Sequence, residues 1–265
     1  MSRDSARETD DRDAMEIYLA PTPFIDSDSP AVRLFAASTI GAVATDREKA
    51  IRLFYAVRDE IRYDPYALSF APEALKASAV LAKRVGFCVP KAILLAAAAR
   101  AVGVPSRLGF ADVRNHLATA RLRALMGTDV FAFHGFTELH LEGAWVKATP
   151  TFNRSLCERF NVPPLDFDGR RDALFHAFDA AGNRHMEYLR YHGHYADLPL
   201  EKMVCAFREH YSVLAARLDA VSRGEEDAQA DVFARSGDFE KEASEGDAEA
   251  SGRGAEPPGD DAKHD

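Results

Sequence analysis

An α+β fold is what the sequence predicts, on three observations. Four helical patterns follow one another up to Gly103 with no strand signal between them. Beyond Gly103 the pattern turns to alternating aromatic and β-branched runs separated by turn residues. A last amphipathic stretch, Pro199 to Val221, carries Met203, Val204, Phe207, Tyr211, Leu214 and Leu218 on one face and closes the folded part. Helices first and antiparallel strands after is the order of a segregated α+β domain, not of an alternating α/β sheet.

Each element has a local reason. Ser29-Pro30 reads as an N-cap with proline at the first helical position, opening a helix to about Val43. Thr45 with Glu48 is a capping-box pattern, and Ile51, Phe54, Tyr55, Val57 and Ile61 then recur at helical spacing. Asp64-Pro65 is expected to end that helix, because the residue before proline avoids the α region. Pro72 to about Lys83 reads as a third helix. Val89 to Val102 is an alanine-rich fourth, with Pro90 tolerated in its first turn and Gly103 suited to its end. Ser106 to Val113 reads as a strand, and Asn115 to Met126 as a loop or irregular helix. Val130 to Glu142 is a strand, Glu142-Gly143 a hairpin turn and Trp145-Val146-Lys147 the return. Asp168-Gly169 is a further turn, and Ala173–Phe178 with His185–Arg190 reads as a third hairpin.

Composition narrows the function classes. The chain has 265 residues, 47% hydrophobic and 28% charged, as in ordinary globular proteins. No apolar run approaches the ~20 residues a membrane helix needs, and the polar start MSRDSARETDDRDA carries no apolar signal segment. Cys88, Cys157 and Cys205 are too few and too scattered for a disulfide framework or a paired-cysteine metal site, which fits a reducing cytoplasm. From Ser222 onward there are 14 acidic against 5 basic residues, net −9, which is the charge of the whole chain, so residues 1–221 are neutral. A neutral body gives no support for nucleic-acid binding. The expected organisation is a disordered segment 1–14, a folded domain over 15–221 and a disordered acidic tail over 222–265, which has only two Phe and one Val to bury. Removing that tail is expected to leave the melting temperature nearly unchanged.

Cys88 follows Gly86-Phe87 at the start of the fourth helix, where the helix dipole favours thiolate over thiol. A buried packing cysteine would read the same from position alone. A thiol nucleophile needs a base, and His134 opens the strand-like segment HGFTELHLEGAWVKATPTF, whose hairpin returns to a residue near Thr149. Gly86-Phe87-Cys88-Val89-Pro90-Lys91-Ala92, followed after the helix by Gly103-Val104-Pro105-Ser106-Arg107, resembles the transglutaminase-like superfamily. His134 through Glu138 and then Gly143-Ala144-Trp145-Val146 is similar to that superfamily's histidine block. The resemblance covers roughly residues 45–153. It implies a papain-like α+β core with the catalytic helix packed on an antiparallel sheet, Cys88 as nucleophile, His134 as base, and a thioester intermediate on an amide or peptide substrate. The superfamily's usual aspartate falls at Thr149 in Thr149-Pro150-Thr151. A threonine hydroxyl can accept the imidazole N–H but supplies no charge; Asn153 is the other residue within reach.

The backbone N–H of Cys88 is the expected first oxyanion donor, and Tyr63 in IRYDPY is a candidate for the second. Neither cofactor nor metal is expected, and His185, His192 and His194 read as exposed loop histidines. Arg107 and Glu138 read as members of ion pairs, Trp145 as core, and Cys157 and Cys205 as packing residues. Cys88 and His134 are expected to be neighbours, within about 4 Å. Two functions follow: a cysteine-dependent protease, amidase or transamidase, or a catalytically weak or inactive peptide-binding relative, which the threonine at 149 motivates. A CoA-dependent N-acyltransferase would share the Cys-His arrangement, but no CoA-binding feature supports it. Substrate and oligomeric state stay open.

Overall fold

The structure, a computed structural model, describes residues 15–116, 118–176, 182, 185–213, 215, 216, 239 and 242. The segments read from the sequence as disordered, 1–14 and 222–265, lie outside the described residues apart from Phe239 and Glu242.

Helix α1 (Pro30–Ile40) starts on its proline and stops at Gly41, whose φ of 57° lies in the left-handed half of backbone space. Thr45 caps α2 (Asp46–Glu60) with the full capping box: its Oγ1 accepts from the Glu48 N–H at 3.2 Å, and the Glu48 carboxylate accepts from the Thr45 N–H at 3.4 Å. The helix ends before Ile61, earlier than Asp64-Pro65 suggests. The chain instead enters a two-residue strand, β1 (Arg62–Tyr63), parallel to β2 (Val85–Gly86). That pairing sets Tyr63 beside Gly86, two residues before Cys88. The third expected helix is two: α3 (Pro72–Leu75) and α4 (Ala77–Lys83), separated at Lys76, whose ψ of 142° is extended.

Helix α5 (Cys88–Ala101) is buried along its length from Cys88 to Arg100. It has no polar face, as expected of a helix enclosed on all sides. Its two long basic side chains find backbone partners inside. The Lys91 Nζ donates to the Arg58 and Ile61 carbonyls at 2.9 and 2.5 Å, and the Arg100 guanidinium donates to the Ala20, Ser106 and Ala196 carbonyls.

Four antiparallel strands form the main sheet in the order β5-β4-β3-β6: β3 (Ser106–Asn115), β4 (Val130–Leu141), β5 (Ala144–Ala148) and β6 (Met186–Tyr195). The β4–β5 hairpin turns on Glu142 and Gly143 at φ 51° and 86°, both positive as a type I′ turn requires. Between β3 and β4, the Thr119 Oγ1 caps a regular helix, α6 (Ala120–Met126), by accepting from the Leu122 N–H. The third hairpin expected from the sequence does not form among the described residues; 177–181 and 183–184 lie outside them. β6 pairs along the open edge of β3, a long run of unpaired backbone groups, and Ala173 makes a single parallel bridge to Ala148. His192 and His194 thus lie on a strand, not in a loop. A short α7 (Arg154–Arg159) follows β5, and the closing helix, expected to reach Val221, is α8 (Leu200–His210), which ends at its C-cap Tyr211.

Helix α5 packs on one face of the sheet. Thr137 of β4 donates its hydroxyl to the Ala92 carbonyl at 2.8 Å, and a Cβ added at Gly135 would come within 3.0 Å of the Val89 side chain and 3.1 Å of its Cα. Only glycine permits that approach. On the same strand Glu138 pairs with Arg107 at 2.5 Å, and the Arg107 guanidinium lies 4.0 Å over the ring of Trp145, which is half-buried, not core. Cys157 is buried; Cys205, read from the sequence as a packing residue, is exposed because it falls on the outer side of α8.

Candidate active site

Cys88 is the first residue of α5, and its side chain is almost wholly enclosed. Two opposed effects act on its thiol. The backbone N–H groups of Gly135, Val89 and Cys88 itself face the sulfur and favour thiolate. Burial favours the neutral thiol and wins, pushing its pKa up to about 11. The lowering expected from the helix start alone is therefore reversed: withdrawal from solvent costs the anion more than three amide dipoles return.

His134 owes its placement to a bulge. In the β3–β4 register Ala111 faces His134 and Val113 faces Phe131, so Ala132 and Phe133 together oppose Asp112. Phe133 takes a φ of 57°, rare for a residue with a side chain. Three contacts hold it there. The Phe133 N–H donates to the buried Asp112 carboxylate at 3.0 Å, that carboxylate meets the His192 Nε2 at 2.7 Å, and the Ala132 N–H donates to the Tyr211 hydroxyl at 2.6 Å. The Phe133 ring also stacks on Phe110 at 4.5 Å. The next residue, His134, is buried with its ring 5.0 Å from that of Phe175. Burial pulls its pKa down to about 3, so the imidazole is neutral.

Cys88 and His134 line one apolar pocket of about 60 Å³, together with Tyr63, Tyr66, Met126 and Tyr211. Gly135, adjacent to His134, turns its N–H toward the Cys88 sulfur, which ties the two elements together. Among the described residues no hydrogen bond joins Cys88 to the imidazole, and the His134 Nε2 is buried without a partner. Thr149 lies just past β5, its N–H donating to the Ala173 carbonyl at 3.0 Å. Its Oγ1 is buried and makes no bond to the imidazole; its neighbour is the Tyr188 hydroxyl, so the Thr149–His134 bond suggested by the sequence is not made in this structure. Asn153 is engaged elsewhere: its Oδ1 accepts from the Tyr63 N–H at 3.1 Å and its Nδ2 donates to the Ser155 hydroxyl at 2.7 Å. It positions Tyr63, whose own hydroxyl makes no hydrogen bond among the described residues.

Sequence reasoning missed Asp112 and Tyr211, which pin the bulge. Asp112 left a signal, a carboxylate inside the apolar strand FADVRN, where a buried charge implies buried partners. Tyr211 left none, because its role depends on how α8 crosses β4. Among the described residues no group of three or more His, Cys, Asp or Glu side chains is placed to hold a metal ion.

Residues 33–150 match the family model of the transglutaminase-like superfamily. That segment is similar to the superfamily. It contains Cys88, His134 and Thr149 and runs from α1 to the end of β5. The mixed helical and antiparallel architecture agrees with the transglutaminase-like α+β fold. Two solved structures are similar to the chain. One is a candidate cysteine protease from Cytophaga hutchinsonii, 17% identical over 67% of this chain and 53% of that one, with a TM-score of 0.41. The other is a candidate protease from Parabacteroides distasonis, 15% identical over 48% of this chain and 26% of that one, with a TM-score of 0.32. The alignments thus span about half and a quarter of those proteins' own lengths. No curated protein matches the chain. No described helix is long and apolar enough to cross a membrane.

Proposed function

We propose that the protein is a cysteine-dependent acyl-transfer enzyme acting on an amide bond of a peptide. The observation that carries this is Cys88 at the start of a buried helix, in a pocket that His134 also lines. Because thiol and imidazole both rest neutral, the chemistry is general-base catalysis rather than attack by a preformed thiolate. As the Cys88 sulfur adds to the amide carbonyl, His134 takes the thiol proton. The same proton then passes to the leaving amine as the C–N bond breaks, leaving an acyl thioester on Cys88. Water releases an acid and an amine acceptor gives transamidation. The backbone N–H of Cys88 and the Tyr63 hydroxyl are the donors available to the oxyanion. The unpaired thiols of Cys88, Cys157 and Cys205 suit a reducing compartment, and we assign the protein to the cytoplasm.

The test compares the full chain with Cys88→Ala and His134→Ala on a library of fluorogenic peptide amides, with and without a fluorescent primary amine. Both variants are expected to lose turnover while remaining folded; a Cys88→Ala chain as active as the original overturns the assignment. The unpartnered Nε2 of His134 and the missing carboxylate at 149 favour a second reading, a catalytically weak member that binds peptides. Under that reading the unsubstituted chain binds library members without cleaving them.

A further inference from the structure

Two residues far along the acidic C-terminal region, Phe239 and Glu242, lie against the wall of the Cys88 pocket. The Phe239 side chain is buried. Its ring meets Tyr63 at 5.7 Å and Tyr66 at 5.9 Å in edge-on geometry, and Phe160 at 5.9 Å. The crevice around it, lined by Tyr63, Leu122, Phe131, Phe152 and Phe160, retains only about 10 Å³ of empty space. That is no more than a single water molecule needs, so the crevice is close to filled by a phenyl ring. Three residues on, the Glu242 carboxylate accepts from the Tyr66 hydroxyl at 2.7 Å, from the Thr119 hydroxyl at 3.3 Å and from the Arg121 guanidinium. Arg121 in turn lies 4.4 Å over the Tyr66 ring. Tyr63 and Tyr66 face both ways: each touches the docked pair and each lines the pocket that holds Cys88 and His134.

We infer that this crevice is a docking site for a peptide segment with an aromatic residue and a glutamate three positions later, and that the chain's own Phe239-Glu240-Lys241-Glu242 holds it in cis. The aromatic box selects a planar apolar ring, and the cluster of two hydroxyls and a guanidinium selects a carboxylate at that fixed distance. Tethering makes occupancy strong even for modest intrinsic affinity, since a linked segment acts at an effective concentration of order mM. The inference rests on these contacts alone and not on the catalytic reading.

The test uses full-length chains and a fluorescein-labelled peptide of residues 234–247, followed by fluorescence anisotropy. Phe239→Ala/Glu242→Gln in the full chain vacates the site and leaves its walls intact; near-UV circular dichroism checks that it stays folded. The peptide is expected to bind this variant, and at least tenfold more weakly to the unsubstituted chain, where the cis segment competes. Replacing the phenylalanine by alanine or the second glutamate by glutamine in the peptide, or adding Arg121→Gln to the vacated chain, is expected to weaken binding tenfold or more. Absence of binding to the vacated chain, equal binding to both chains, or insensitivity to those three changes overturns the inference. None of these readouts depends on whether Cys88 turns over a substrate.

Discussion

Thr149→Asp restores the carboxylate that the superfamily usually carries at this position, and its effect follows from the charge states in the pocket. His134 rests neutral because burial pulls its pKa down to about 3, and Cys88 rests as a thiol with a pKa pushed up to about 11. At pH 7 that leaves roughly one thiolate in ten thousand. A carboxylate about 4 Å from the imidazole, at an effective dielectric of 20, is worth about 4 kcal/mol of Coulomb attraction, or roughly three pKa units. His134 would then titrate near neutrality, and an imidazolium beside the sulfur would lower the Cys88 pKa by roughly one to three units. Each unit multiplies the thiolate fraction by ten, but a less basic thiolate is a weaker nucleophile, so the net gain is about threefold per unit. Alkylation of Cys88 by iodoacetamide at pH 7 should therefore rise roughly 3- to 30-fold in Thr149→Asp and stay at the original rate or fall in Thr149→Val. Mass spectrometry of tryptic peptides separates Cys88 from the exposed Cys205, which serves as internal reference and should not change. If the Cys88 rates of the three proteins superimpose from pH 6 to 9, Thr149 does not act on His134 and the electrostatic reasoning fails.

The other predictions concern the parts that hold the pair in place. Gly135→Ala drives a Cβ to 3.1 Å from the Val89 backbone and should cost about 1–3 kcal/mol, read as a fall of several degrees in Tm; truncating the partner as well, in Val89→Ala, should recover only part of it, since the close Cα remains. Tyr63→Phe should leave Tm unchanged, because the hydroxyl makes no hydrogen bond among the described residues, and should lower any amidase kcat roughly 10²- to 10³-fold if that hydroxyl meets the oxyanion. Lys91 is a buried base whose pKa is pulled down to about 7 by burial, so between about pH 7 and its ordinary value of 10.5 the unfolded chain holds a proton that the folded chain does not. Stability from this residue therefore rises with pH across that window, by up to about 1.4 kcal/mol per pH unit, and is lost as pH falls toward 7. The difference in urea midpoint between the original protein and Lys91→Met should follow that slope; a difference independent of pH would mean that Lys91 stays charged inside.

Local signals in the sequence located the elements and left their partners open. The capping box at Thr45 and the paired positive-φ turn at Glu142-Gly143 are decided within four residues, and the structure has both where the sequence suggests. The split at Lys76 and the early end of α2 are decided by contacts distant in sequence: the Ala77 and Ser78 N–H groups donate to the Phe24 carbonyl and the Asp26 carboxylate, and β1 exists only because β2 lies alongside it. The same holds for β6. Its strand character is visible in the sequence, but pairing depends on which edge is open, and the edge of β3 is a longer template than the segment around Ala173. The helix start at Cys88 and the strand that carries His134 were legible because both carry local patterns. Their electrostatics were not, because burial is a property of the assembled core and here it outweighs the helix dipole.

That reversal bears on what Thr149 means. A carboxylate beside His134 would stabilise an imidazolium and so favour a thiolate–imidazolium pair at rest, whereas a threonine leaves no charge to offset the desolvation of either ion. With both groups buried, the neutral pair is the lower state, and the sequence change at 149 and the enclosure of the pocket act in the same direction. Reactivity then depends on what a substrate brings with it. Under the proposed acyl-transfer reading, a peptide carbonyl placed in the pocket would put a developing negative charge beside the Cys88 N–H while the thiol proton passes to His134. The charges arise together, so neither has to exist alone in the apolar interior. The bulge held by Asp112 and Tyr211 suits such chemistry, because it fixes the imidazole by backbone hydrogen bonds rather than by a bond to its Nε2, which keeps the ring in place without biasing its charge.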